Sequence, residues 1–204
     1  ARRQRQMCIR DSLGPILRTA GEWLGMGLAN LYDFAGPVAG FLFGLVYSPI
    51  VITGLHQSFP PIETMLWNEG GSFVFPIASM ANIAQGGVAL AVYFLARSEK
   101  LKGLAGASGI SALFGITEPA IFGVNLRLRW PFYIGMAASA IASAFIAIFG
   151  VLADALGAAG LIGFVSVPRF VPTFLLCGVI SFVVAFVGAY LYGRVLIRKN
   201  GSID

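Results

Sequence analysis

The chain has 204 residues, of which 57% are hydrophobic and only 11% charged, and its mean hydropathy is +0.82. A soluble domain carries about a quarter charged residues, so this composition excludes an ordinary soluble protein. The net charge is +5, but Arg and Lys stand in short clusters between apolar segments, as they do in the cytoplasmic loops of membrane proteins. Nucleic-acid binding is therefore not expected. The two cysteines and the single histidine form no metal-binding pattern, so we expect no disulfide, metal or cofactor.

The N-terminal part of the chain does not resemble a membrane span. Residues 1–12, ARRQRQMCIRDS, lack helical periodicity and an apolar core of signal-peptide length, so we predict a non-native or disordered leader. Residues 13–33 mix Arg18, Glu22 and Asn30 with Leu and Trp. That mixture is typical of an amphipathic helix lying at the membrane surface.

Four apolar stretches have about the 20 residues that are needed to cross some 30 Å of hydrocarbon. They are residues 34–54, 72–96, 131–153 and 172–193. The sequence therefore predicts an all-α integral membrane protein with about four transmembrane helices. We assign residues 34–198 to one membrane domain and residues 199–204 to a cytoplasmic tail.

The segment 103–126 is almost long enough to cross but is interrupted by Thr117, Glu118 and Pro119. Its first arm would reach only about 20 Å as a helix at 1.5 Å per residue. Basic residues flank both ends of the segment: Arg97, Lys100 and Lys102 before it, Arg127 and Arg129 after it. The positive-inside rule places both ends in the cytoplasm, so we predict a re-entrant hairpin with its tip at residues 117–119.

A second interrupted segment, residues 55–71, contains the single histidine, two consecutive prolines and a carboxylate within GLHQSFPPIE. It lies toward the outer side and is a candidate second hairpin. Non-helical backbone at membrane depth is tolerated only inside protein or along a wet cavity. Two such segments in a small domain predict that they line one site together.

Glu118 and His56 are the strongest candidates for chemistry. A carboxylate between the arms of a re-entrant hairpin costs several kcal/mol unless a ligand, partner or water compensates for it. The structural alternative is that Thr117 or Glu118 caps a second arm that begins at Pro119. His56 could instead be bonded to backbone, but a neutral imidazole can both donate to and accept from a hydroxyl group.

Polar side chains elsewhere in the apolar segments could bind the hydroxyl groups of a ligand. Asn82 and Gln85 lie about one turn apart in the second span and could share a face. The further candidates are Asn125, Gln57 and Thr53. For each of these five, a hydrogen bond between helices explains the residue equally well.

The remaining polar residues are expected to have structural or solvated positions. Glu63, Glu69 and Asp154 lie in or near outer loops, where we expect solvated charges. Ser139 and Ser143, spaced by four within AASAIASA, are typical of a helix packing face. No Walker loop, GxSxG or HExxH motif occurs in the sequence, so ATPase, hydrolase and metalloprotease activities lack support.

GLHQSFPPIE, MANIAQGGVAL and GITEPAIFGVNL together resemble a known family. They are similar to the C-terminal half of the EIIC membrane domain of phosphoenolpyruvate-dependent phosphotransferase sugar permeases, in the glucose superfamily and nearest its sucrose branch. The resemblance extends from about Leu13 onward. It implies a bacterial inner-membrane transport domain whose sugar site is built from His56 and Glu118, as catalytic and binding residues. The other sugar-binding candidates are Gln57, Thr117, Asn82, Gln85, Asn125 and Thr53.

The resemblance also implies partners. An EIIB domain, on the same or a separate chain, would supply the phosphoryl group from a cysteine. Neither Cys8 nor Cys177 fits the sequence motif that surrounds this cysteine in the family. Missing N-terminal spans would form a homodimer interface, so this fragment alone would be inactive. Gln57 stands where sucrose permeases commonly have a second histidine, so trehalose, a beta-glucoside or another sugar remains open. An ion-coupled secondary transporter and a non-transporting scaffold are the alternatives from other classes.

The basic flanks of segment 103–126 give a topological prediction. In a full-length permease without its native cysteines, single cysteines at Lys100 and Arg129 should both react with an impermeant thiol reagent only from the cytoplasmic side. Labelling of the two positions from opposite sides would show that the segment crosses the membrane. A cysteine at Asp154, in the loop predicted to lie outside, provides the opposite-side control.

Overall fold

The computed structural model describes residues 35–68, 70–155, 157 and 159–203, together with Thr19, Trp23, Gly27 and Asn30. The predicted leader, residues 1–12, lies outside this set. So do most of the predicted surface helix, residues 13–33, and Glu69.

Six longer helices form the described domain. They are α1 (Ala35–Thr53), α2 (Phe59–Asn68), α3 (Val74–Leu95), α4 (Glu99–Leu113), α5 (Trp130–Ile148) and α6 (Val171–Asn200). Helices α1, α3, α5 and α6 are long and apolar enough to cross a membrane, which confirms the four predicted spans. Two ends differ from the prediction: α5 stops before residue 153, and α6 continues past residue 193 without a break.

Helix α3 is the centre of the domain, with 83% of its membrane window buried. It packs against α4, α5 and α6, and a helix that is apolar all round is expected to occupy such a central position. Glycines permit the closest approach, because a Cβ atom on Gly86 would lie 2.9 Å from the carbonyl oxygen of Gly109 in α4. On another side, the hydroxyl of Ser181 in α6 donates to the carbonyl of Met80 at 2.8 Å.

Helices α1 and α5 contact each other through small residues. Ser139 and Ser143 are fully buried, and a Cβ atom on Gly44 would collide with the Ser143 hydroxyl. This confirms that the two serines form a packing face. Close packing through small side chains is the usual means of helix association in membranes.

The segment after α4 turns back on itself. Helix α4 ends at Leu113, residues 114–117 form the turn, and a second arm follows. That arm consists of Glu118–Ala120, a π-helix at Ile121–Asn125 and a last turn at Leu126–Leu128. The predicted tip at residues 117–119 was therefore placed a few residues too late. Gly115 makes the turn in the left-handed region, at φ +98°, where glycine is favoured.

The connection between α5 and α6 is also irregular and lies against this turn. Ser72 and Ala153 form an isolated antiparallel bridge, with N–H···O distances of 2.9 and 2.8 Å. A 3-10 helix follows at Leu161–Ser166. A Cβ atom on Gly160 would collide with the carbonyl of Leu113, so this connection and the hairpin tip are in close backbone contact. The sequence analysis did not predict this contact.

We predict that Gly115→Ala will strongly reduce the folded protein. Its φ of +98° disfavours alanine, and the new Cβ would collide with the carbonyl of Ala159. The left-handed conformation alone costs about 1–2 kcal/mol. The yield of monodisperse full-length permease and its melting temperature in detergent would measure the loss.

Gly103→Ala is the matched control, because it lies in the first arm of the same hairpin with nothing within 4 Å of its Cβ position. Alanine is a better helix former than glycine by about 1 kcal/mol, so this variant should be unchanged or more stable. Equal melting temperatures for the two variants would contradict the close contact at the tip.

Candidate functional site

His56 and Glu118 come from the two interrupted segments and lie near each other. His56 is half-buried on the 3-10 turn Leu55–Ser58 that follows α1, and Glu118 is exposed at the start of the second hairpin arm. Burial lowers the pKa of His56, while the negative charge of Glu118 acts to raise it. The carboxylate is thus close enough to influence the imidazole. A lowered pKa favours the neutral ring, which can donate to one group and accept from another.

The imidazole of His56 is oriented by its neighbours. The Gln57 side-chain nitrogen lies 3.1 Å from its Nε2 atom. The tautomer of the imidazole sets which of the two groups donates in this contact. Nδ1 is enclosed and makes no well-aligned hydrogen bond, although the carbonyls of Ile50 and Val51 lie near the ring. The Thr53 hydroxyl makes a hydrogen bond within its own helix, because it donates to the Ile50 carbonyl at 2.8 Å.

No capping hydrogen bond in the structure supports the alternative that Thr117 or Glu118 caps the second hairpin arm. Thr117 occupies the N-cap position and is buried, but its side chain makes no capping hydrogen bond. Pro119 lies within the first turn of the arm, as expected for a helix start. Among the described residues, the Glu118 carboxylate has no hydrogen bond or ion pair. It is therefore available to a ligand.

The side chains of Gln85 and Asn125 hydrogen-bond to each other. The Asn125 side-chain nitrogen donates to the Gln85 Oε1 atom at 2.8 Å and to the Gln85 carbonyl at 3.0 Å. The Gln85 nitrogen in turn donates to the Ser48 hydroxyl of α1 at 3.1 Å. These are hydrogen bonds between elements, the alternative that the sequence left open. They attach the second hairpin arm and α1 to the middle of α3.

Asn82 differs from Gln85 although it lies less than one turn away on α3. It is 7% exposed, and its amide has no hydrogen-bond partner among the residues that the structure describes. A buried amide without a partner is costly. Of the two amides predicted on α3, Asn82 is the one with bonding capacity left for a ligand.

Glu63 is buried, so the expectation of a solvated charge there was wrong. It is 5% exposed on α2, whose inner face packs on α1 with the Phe59 ring 5.9 Å from that of Phe43. Its carboxylate lies near Tyr47, and burial raises its pKa to about 7. A sequence signal existed: Phe59, Ile62, Glu63 and Leu66 follow the i, i+3, i+4, i+7 spacing of one helix face.

The other two acidic residues in that prediction have different outcomes. Asp154 is partly exposed and pairs with Arg169, with 3.3 Å between Oδ2 and Nε. Exposed pairs of this kind contribute little stability. Glu69 lies outside the described residues.

Four helices that are able to cross a membrane, with two interrupted segments that bring an imidazole near a carboxylate, define a polytopic membrane protein. Residues 12–140 match the family described as "Phosphotransferase system, EIIC", and the chain belongs to this family. The description of this family names a phosphotransferase system and not an ion-coupled transporter.

Several curated relatives are highly similar. The chain is 52% identical over 187 residues to a PTS system sucrose-specific EIIBCA component of Pediococcus pentosaceus, covering 89% of this chain and 29% of the relative. It is 57% identical over 160 residues to the sucrose-specific EIIBC component of Staphylococcus xylosus, with coverages of 76% and 33%. A trehalose-specific EIIBC component of Bacillus subtilis is 43% identical, with coverages of 89% and 39%.

The chain thus spans less than half the length of these curated relatives. No solved structure matches it.

Glu63 gives a prediction about pH. Its pKa of about 7 in the folded protein exceeds its ordinary value of 4.5, so folded protein keeps the proton while unfolded protein releases it. Stability should therefore fall as pH rises from about 4.5 to about 7 and then level off, by on the order of 3 kcal/mol. Melting temperatures of the full-length permease across this range would measure it.

Glu63→Gln should remove this part of the pH dependence and raise the melting temperature above pH 7. Glu99→Gln is the control, because the Glu99 carboxylate is 88% exposed beside Lys102, and it should leave the profile unchanged. Parallel profiles for wild type and Glu63→Gln would show that Glu63 does not titrate in the folded protein.

Proposed function

We propose that this chain is the sugar-binding half of a phosphotransferase permease that takes up sucrose and couples its entry to phosphorylation. The observation that carries the proposal is the proximity of His56 and Glu118, which come from two different interrupted segments. Glu118 has no partner of its own among the described residues. The names and identities of the sucrose-specific relatives support the choice of sugar.

Sugar recognition uses the polar groups that the fold leaves available. The Glu118 carboxylate accepts a hydrogen bond from the sugar's 6-hydroxyl, and the neutral imidazole of His56 holds the same oxygen or a neighbouring hydroxyl. Asn82 and Thr117 are secondary contacts, and Gln57 acts by orienting His56. We assign Gln85 and Asn125 to the support of the site, because each already bonds the other, and Thr53 to the end of α1.

Phosphorylation proceeds by transfer from a phosphocysteine of an EIIB domain that approaches from the cytoplasm. The sugar oxygen forms a bond to phosphorus as the sulfur–phosphorus bond breaks, and the cysteine leaves as a thiolate. The hydroxyl proton passes to Glu118. Such transfers depend on positioning and charge stabilisation more than on covalent help from the acceptor side. The doubly charged product binds poorly beside a carboxylate and is released inward.

The assembly in which this occurs is larger than the present chain. The names of the relatives join EIIB to EIIC, which supports an EIIB domain as the phosphoryl donor. We propose that residues 34–198 form a transport domain with hairpins near 55–71 and 103–126. Spans encoded outside this chain would form the interface of a homodimer.

A binding scan with several sugars would identify the sugar that the permease prefers. Identity alone separates the sugars poorly, because a sucrose-specific and a trehalose-specific component of Bacillus subtilis are 41% and 43% identical to this chain. Purified full-length permease should bind sucrose more tightly than trehalose, maltose or glucose. Tighter binding of trehalose would change the proposed substrate but not the proposed site.

The catalytic prediction separates charge from shape at Glu118. Glu118→Gln keeps the size and hydrogen-bonding capacity of the side chain but removes its charge. It should retain measurable sugar binding and lose at least about 100-fold in phosphoenolpyruvate-dependent phosphorylation, the usual contribution of a general base. Glu118→Ala should lose both. Binding by calorimetry and phosphorylation by membrane vesicles are the measurements.

His56 tests whether the two groups share one ligand. His56→Ala should weaken binding, and in the double variant with Glu118→Ala the two losses should be non-additive. Glu99→Gln, on the same hairpin but away from the site, should leave uptake unchanged. An active Glu118→Ala permease, or strictly additive losses, would contradict the proposed site.

A further inference from the structure

A cleft of about 340 Å³ lies between the C-terminal ends of α3 and α6, away from the proposed sugar site. We name it the arginine cleft. It is lined by Phe94, Leu95, Arg97, Tyr190, Arg194, Ile197 and Arg198. Three arginines thus line one opening, which nothing in the proposed transport cycle uses.

The arginines of α6 are held in place but not neutralised. The Arg194 guanidinium lies over the Tyr190 ring, 5.1 Å from its centroid, an attractive cation–π arrangement. Arg198 follows one turn later on the same face. Among the described residues neither has a carboxylate partner. Arginine forks match phosphate oxygens in geometry and charge.

An apolar stripe on α6 leads directly to the cleft. Its members lie on the face of Arg194 at helical spacing and are each about half-exposed: Leu176, Val179, Val183, Val187 and Leu191. At 100° per residue all of them fall within roughly 60° of Arg194 around the helix. This stripe faces hydrocarbon, so a ligand with long apolar chains could lie along it while its polar end occupies the cleft.

The depth of the cleft fits a lipid headgroup. About 20 residues of helix cross the hydrocarbon, so α6, which begins at Val171, leaves it near Leu191. Arg194 then lies at headgroup level. Aromatic rings lie at the same level, with Trp130 packed on Tyr192 at 5.5 Å, as in the aromatic belts of membrane proteins. The predicted topology places this end in the cytoplasmic leaflet, where anionic lipids attract basic residues.

From these observations we propose that the arginine cleft binds the phosphate group of an anionic phospholipid whose acyl chain lies along the α6 stripe. Arg194 and Arg198 contact the phosphate, and Arg97 lines the cleft after the end of α3. The bound lipid then bridges α3 and α6. Because a ligand that binds only the folded state raises its stability, the permease should be stabilised by this lipid.

The test uses full-length permease purified in a neutral detergent and titrated with phosphatidylglycerol or phosphatidylcholine in mixed micelles. Phosphatidylglycerol should raise the melting temperature and phosphatidylcholine should not. Arg194→Gln with Arg198→Gln should weaken the phosphatidylglycerol effect about thirtyfold in concentration, since each basic residue contributes about fivefold at an anionic surface. Lys199→Gln is the matched control, as Lys199 lies at the same helix end, about 100° around the helix from Arg198, and is not among the residues that line the cleft; it should behave as wild type.

Other occupants would give other results. Equal stabilisation by inorganic phosphate, lost in the double variant, would assign the cleft to a free anion and overturn the lipid. Loss of EIIB binding in the double variant, with no lipid effect in wild type, would make the cleft a protein interface. If the double variant does not fold, Arg198→Gln alone should show about a fivefold weakening, and an unchanged phosphatidylglycerol response in it would also overturn the proposal.

Discussion

The Gln85 amide is the constraint on which the arrangement of this domain depends. It lies 1% exposed in the middle of α3, where an unsatisfied amide would cost about 1–3 kcal/mol. Its hydrogen bonds go to Asn125 on the second hairpin arm and Ser48 on α1, with the Phe132 carbonyl of α5 at 3.5 Å. Three elements are thereby set in register around α3. Glu118 belongs to the same arm as Asn125, so its position depends on this network.

The π-helix at Ile121–Asn125 makes that connection possible. A π-helix carries an additional residue per turn and commonly occurs at functional sites in membrane and soluble proteins alike. Here it begins three residues after Glu118 and ends at Asn125, and therefore sets the angle between the two side chains. Asn125 is directed into α3 and fully buried, while Glu118 is exposed. One short arm can thus anchor itself and present a carboxylate at the same time.

The sequence predicted what depends on local chemistry. Four spans and the interruption near Glu118 followed from hydropathy and proline, because backbone in lipid must satisfy its own hydrogen bonds. The exact turn at Gly115 was not predictable, since it depends on contact with the distant loop at Gly160. Glu63 was placed in or near an outer loop because residues 55–71 were predicted to lie toward the outer side, although its helical spacing with apolar residues was visible. The hydrogen bonds of the Gln85 side chain were not predictable either, because its partners lie on other elements and the spacing of residues along α3 does not identify them.

The central position of α3 has a consequence for biogenesis. Translation runs from the N-terminus, so α3 is made before Asn125 and Phe132. Until they arrive, the Gln85 amide can use only Ser48 of the preceding helix or water. The Gln85 Oε1 atom therefore lacks its Asn125 donor until the hairpin enters. The segment that carries the Glu118 carboxylate thus also supplies a hydrogen bond to the centre of the domain.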